Sequence, residues 1–150
     1  MARYDLHIQL VDPAEQSYGA NFSFGLAAPI RVTGFQSLIN RWLKIFMTPK
    51  GSHPVRRQEG TEFPYLIGSN VADIPSLQAT IGEYIDDATQ QVQTVDRASP
   101  LLPANQRLRG ATLRQFNAIG ASSIEFWVEV VNEAGQRLQV LIPYLVNPNG

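Results

Sequence analysis

Apolar and polar residues alternate strictly from Tyr4 to Leu10, which puts Tyr4, Leu6, Ile8 and Leu10 on one side of an extended segment. That is the period of a half-buried strand. Asp12-Pro13 ends it, because proline donates no hydrogen bond to a ladder. Further on the period changes. Phe35, Leu38, Ile39, Trp42, Leu43 and Phe46 recur at steps of three and one, the broad apolar stripe of an amphipathic helix. Thr33 is its candidate N-cap, Gly34 weakens its first turn, and Pro49 and Gly51 stop it. Arg41 and Lys44 lie towards its C-terminus, where cations suit the macrodipole. A second helix is predicted from about Ile74 to Gln93, capped by Asp73, with Pro75 in its first turn. Ile74, Leu77, Ile81, Tyr84, Ile85, Ala88 and Val92 form its apolar side, and Glu83, Asp86, Asp87 and Gln90 the other.

The last third returns to the extended period. Residues 111–119 form a moderate strand pattern and Ile124–Val131 a strong one, and Gln136–Val146 pairs with the latter through the turn Asn132–Gly135. Ile124, Phe126, Val128 and Val130 share one face; Glu125, Trp127 and Glu129 share the other. Trp127 is therefore apolar on a charged face, which fits either an interface or packing against the second helix. Between these elements lie a short helix around Thr61–Ile67 and two connections. Residues 12–29, rich in Gly, Pro, Ala and Ser, are too long for an ordinary loop and read as a functional or partner-ordered arm with a short strand around Asn21–Phe24. Residues 98–110 read as a loop broken by Pro100 and Pro103. The order of elements predicts an α+β fold: two amphipathic helices packed on a mostly antiparallel sheet with a C-terminal β-hairpin.

Composition narrows the class. The chain has 150 residues, enough for a single domain with a sizeable core, with 44% hydrophobic and 17% charged residues. There is no cysteine, hence no disulfide framework, thiol nucleophile or Cys-based zinc site. The start carries Asp5 and Asp12 and no apolar run suited to a signal peptide, and no stretch approaches the ~18 apolar residues of a membrane span. The net charge of −1 leaves no global cationic excess for holding nucleic acid. That total hides a segregation. Arg41, Lys44, Lys50, Arg56 and Arg57 form a run without acids; Glu59, Glu62, Asp73, Glu83, Asp86, Asp87 and Asp96 a run without bases; Arg97, Arg107, Arg109 and Arg114 a second basic run. Such a chain can present patches of both signs while remaining near neutral, which suits a piece clamped between protein neighbours.

Catalytic patterns are missing. Only His7 and His53 could serve as imidazole bases, one in a strand and one in a Gly/Pro-rich loop, and no nucleophile elbow accompanies them. Neither histidine has a neighbour at metal-ligand spacing, and no phosphate-cradling motif follows Gly51 or Gly68. No spacing selects a carboxylate pair from Glu59, Glu62 and Glu83 for sugar hydrolysis. Neither a cofactor nor a catalytic site is expected.

The segment after the first helix is more specific. It reads Phe46-Met47-Thr48-Pro49-Lys50-Gly51, then eight residues, then Gly60-Thr61-Glu62-Phe63 and onward to Leu66-Ile67-Gly68. Gly51 and Gly60 suit positive-φ turns, and Thr61 can cap the segment that follows. This pattern resembles the short, "lysozyme-like" wedge subunit of contractile-tail (myophage) baseplates. That family has an amphipathic helix, a Thr-x-x-Gly turn, a basic loop of this length and a second Gly-Ser/Thr, followed by another amphipathic helix and C-terminal strands. The resemblance covers residues 33–146 in element order, with its specific motif in 46–67. The family has a proline where this chain has Arg57 or Gln58. Where it carries a Glu-Pro-Arg triplet after the second helix, implicated in core and assembly contacts, this chain has Val95-Asp96-Arg97.

The resemblance implies a structural protein without enzymatic activity, assembled in the host cytoplasm into the virion's tail baseplate. It would stand in several copies in a ring and link other wedge subunits to the tail tube and sheath proteins through exposed β-edges, binding neither nucleic acid nor membrane. Arg56, Arg57, Arg97, Trp127 and Arg137 are its candidate interface residues, and Thr48, Gly51, Gly60 and Thr61 its turn residues. A solvated loop is the plainer reading of Arg56 and Arg57. Two other classes remain as alternatives: a peptidoglycan-cleaving tail enzyme using one of Glu59, Glu62 or Glu83, and a nucleic-acid-binding module using Arg107 and Arg109.

Overall fold

The helical stripe of the first predicted helix forms α1, Phe35–Phe46, preceded by Gly34 at its N-cap. A computed structural model describes residues 7–9, 21–23, 34–68, 73–119 and 123–145, so Thr33 lies outside the described residues. After α1 come α2 (Phe63–Leu66), α3 (Ile74–Arg97), a 3-10 turn (Ala104–Gln106) and three strands, β3 (Leu108–Ile119), β4 (Ser123–Asn132) and β5 (Arg137–Leu145). Two short strands precede them, β1 (His7–Gln9) and β2 (Asn21–Ser23), paired antiparallel with His7 opposite Ser23. The short strand expected near Asn21 is therefore present, while most of the 12–29 arm lies outside the described residues.

β3, β4 and β5 form an antiparallel meander in that order, as the α+β reading requires. Along β4 burial alternates strictly, Ile124, Phe126, Val128 and Val130 facing inward. That inner face carries the helices: α3 packs along β3, and α1 lies between α3 and β4. Aromatic rings fill the junction. Trp42 stacks on Phe46 at 5.1 Å, Phe46 on Phe63 at 4.5 Å, and Phe126 meets Phe63 edge-on at 5.7 Å. Such offset and edge contacts suit the quadrupoles of the rings. The one buried indole donor here is satisfied: Trp42 Nε1 donates to Thr89 Oγ1 at 3.2 Å.

Two boundaries differ from expectation, for one reason. α3 continues a full turn past Gln93, and β3 begins at Leu108 rather than 111. The apolar period of α3 ends at Val92, but the next core-facing position is Asp96, only 5% exposed. Its carboxylate anchors both the end of the helix and the start of the strand, so 98–110 is a loop only as far as Arg107. Val95-Asp96-Arg97 accordingly belongs to the last turn of α3, not to the chain after it.

At the other end of α3 the Asp73 carboxylate accepts the Ser76 N–H at 3.1 Å, satisfying one of the helix's free donors. Asp73→Ala should cost about 1 kcal/mol, read as a lower urea midpoint with an unchanged denaturant slope.

Candidate functional site

The motif residues close a loop. Pro49 and Thr61 form a parallel bridge: Thr61 N–H donates to Thr48 O at 2.9 Å, and Lys50 N–H donates to Thr61 O at 2.9 Å. The Thr61 hydroxyl is buried. It donates to Phe46 O at 2.6 Å and accepts from Phe63 N–H at 3.2 Å. The end of α1 and the start of α2 are thus tied by one side chain, although the formal N-cap of α2 is Glu62, one residue later than expected. Gly60 has φ +104°, and a Cβ there would lie 2.3 Å from Thr48 O. Only glycine lets the two strands of the neck approach so closely. Gly51 also has positive φ, +85°, but its surroundings are open.

A residue from α3 holds this neck. The Gln91 side-chain amide accepts Gly60 N–H at 3.0 Å and donates to Gly60 O at 2.8 Å, the two-point pairing of a β-ladder made by a side chain. The same amide group donates to Asp87 Oδ1 at 3.0 Å, and Asp87 in turn pairs with Lys50 at 3.3 Å. Nothing in the sequence separates Gln91 from Gln90 or Gln93 beyond its i,i+4 relation to Asp87. The loop projecting beyond the neck has its own cap: His53 Nδ1 accepts the N–H groups of Val55 at 3.2 Å and Arg56 at 2.9 Å. Arg56 pairs with Glu59 at 3.2 Å, and Arg57 is exposed with no ion pair among the described residues.

A second node lies under the other end of α3. Asp96 Oδ1 accepts from Arg41 Nη1 at 2.6 Å, and Oδ2 accepts Leu108 N–H at 2.7 Å. Arg41 Nη2 also donates to Gln106 O. α1, α3, the 3-10 turn and β3 meet at this carboxylate. The role expected for Arg41, complementing the helix dipole, is replaced by this pairing; Lys44 is the basic residue of the last turn of α1.

The outer face of the sheet is the third surface. Trp127 lies opposite Gln115 of β3 and Leu141 of β5, half-buried, on the face away from α1 and α3. Packing of Trp127 against the second helix is thereby overturned. Beside it Glu129 accepts from Arg114 at 2.6 Å, with Arg137 at 4.0 Å. Among the described residues β5 is an edge strand, and Pro143 within it fits that position. The candidate interface residues therefore fall in three places: Arg56 and Arg57 on the loop, Arg97 at the end of α3, and Trp127 with Arg137 on the sheet.

Much of the charge segregated along the chain is paired in space. Arg41–Asp96 and Lys50–Asp87 join the first basic run to the acidic run, while Arg107 and Arg114 of the second reach Glu133 and Glu129 on β4 and its turn. Glu59 pairs with Arg56, while Glu62 and Glu83 are exposed on α2's N-cap and on α3. Comparison with known protein families, with curated proteins and with solved structures finds no match to this chain.

Proposed function

We propose that this chain is a structural subunit of the short, lysozyme-like wedge type in a contractile-tail baseplate, linking the wedge to the tail tube and first sheath ring. The observation that carries the reading is the neck of the 48–61 loop. Thr48, Gly60 and Thr61, which bear the resemblance, are the residues whose backbone and hydroxyl close it. A loop fixed on α3 at its base offers Arg56 and Arg57 on a rigid support, so a partner need not order a floppy segment on binding. The β5 edge and the Trp127 face suit strand addition and an aromatic anchor. Charged groups around them set register and partner choice more than affinity. Weak contacts of this kind add up when several copies are held in a ring. On this reading the chain is not an enzyme, needs no cofactor, and resides in the virion after assembly in the host cytoplasm.

Co-expression with the sheath, tube and wedge proteins of a contractile tail from the same genome tests the proposal. The expected result is co-purification in tail-like particles in which micrographs locate the chain at the baseplate. Trp127→Thr should reduce its incorporation at least tenfold while leaving the isolated chain folded. Loss of cell-wall turbidity that disappears in Glu59→Gln, Glu62→Gln or Glu83→Gln would replace the proposal with an enzyme.

A further inference from the structure

Beside the Asp96 node, the end of α3 and the start of β3 enclose a cleft of about 210 Å³, lined by Gln93, Asp96, Arg97, Arg107, Arg109 and Glu133. This is smaller than the ~300–1,000 Å³ of sites that engulf a drug-sized ligand, and it suits a single side-chain group. Its lining is unbalanced in charge. Asp96 is already matched by Arg41 and the Leu108 N–H, and Glu133 lies 3.7 Å from Arg107. Arg97 and Arg109 are exposed and form no ion pair among the described residues. Arg107 gives a sharper sign. Its Nη2 donates to Pro100 O at 2.8 Å, but its Nε is buried without a hydrogen-bond partner. A buried donor left unmade costs about 1–3 kcal/mol, so a shift of the Arg107 side chain that brings its Nε–H to an acceptor in this cleft recovers a penalty the free chain carries.

We infer that this cleft binds a carboxylate on an acidic segment of a partner protein. Guanidinium groups pair with carboxylates in a planar, two-point geometry. Glu133 and Asp96 in the same lining repel a dianionic phosphate more than a singly charged carboxylate. Arg97 also complements the C-terminal end of the α3 dipole, but that role does not involve Arg107 or Arg109, which lie outside the helix. The inference is independent of the baseplate proposal: a chain that binds the acidic probe yet never enters a tail particle contradicts only the latter.

The test is a titration of the full chain with a capped tetra-aspartate peptide, followed by the NMR signals of the arginine Nε–H groups. The expected result is a saturable shift of the Arg107 Nε–H signal that weakens with added salt. Arg97→Gln and Arg109→Gln should each weaken binding about tenfold, while Lys44→Gln, on exposed helix surface elsewhere, should not. Both arginines are exposed, so their replacement leaves the fold intact. Equal binding of a tetra-asparagine peptide would overturn the inference. So would tighter binding of inorganic phosphate or single-stranded oligothymidine, or an equal loss in Lys44→Gln.

Discussion

Asp96→Ala should unfold at a much lower urea concentration than the parent chain, with a loss of about 3 kcal/mol and a fall in Tm of about 10 °C. Asp96 is 5% exposed and Arg41 23%. Removing the carboxylate strands the guanidinium in a largely desolvated position and deprives the buried Leu108 N–H of its acceptor. Breaking one side of a fully buried pair costs about 3–5 kcal/mol, and the remaining solvent contact of Arg41 puts this case at the low end. Asp96→Asn separates the two contributions, because an amide oxygen can still accept from Leu108 N–H while the charge is gone. It should therefore recover part of the loss. Arg41→Met in the Asp96→Leu background should be more stable than Asp96→Leu alone, since the uncompensated charge is then removed. If Asp96→Ala lowered the urea midpoint no more than Asp73→Ala does, Asp96 would not be the junction of these elements.

The same residue shows what the sequence could and could not display. α1, the body of α3 and β4 were legible because each buries a long apolar stripe whose period names its conformation. The inward set Ile124, Phe126, Val128 and Val130 follows from that period. Asp96 was not legible as core, because a charged residue occupies a buried position only through partners that are 55 and 12 residues away. The end of α3 and the start of β3 both depend on it, and so both differ from what the apolar pattern predicts. The motif around Gly51 and Gly60 was visible as a spacing, but its anchor was not. Gln91 holds Gly60 through geometry that no local pattern encodes, and the buried Nε of Arg107 has no sequence signature at all. Trp127 was ambiguous from alternation alone; the sheet decided it by placing both helices on the opposite face.

Gly60→Ala should be the most damaging single-methyl change in the described loops, costing about 3 kcal/mol from the strained φ and the displaced neck together. The added Cβ would sit 2.3 Å from Thr48 O and 3.2 Å from Lys50 N. Neither atom is the end of a flexible side chain, so the backbone itself must separate. Separation breaks the Thr61 N–H bond to Thr48 O and the Lys50 N–H bond to Thr61 O, and it pulls Gly60 away from Gln91. Gly51→Ala is the internal control. It too places a side chain at positive φ, but with nothing within 4 Å of the Cβ, so only the conformational cost of about 1–2 kcal/mol remains. Gln91→Ala tests the other half of the neck and should cost about 1–2 kcal/mol, because it leaves Gly60 N–H and C=O without their shared partner. Combining Gln91→Ala with Gly60→Ala should cost less than the sum, since the first change removes an interaction the second already disrupts. Amide hydrogen exchange reads the mechanism directly: Thr61 N–H and Lys50 N–H should lose protection in Gly60→Ala and keep it in Gly51→Ala. Equal losses of stability in the two alanine variants would mean that positive φ alone, not the close approach of the neck, fixes glycine at position 60.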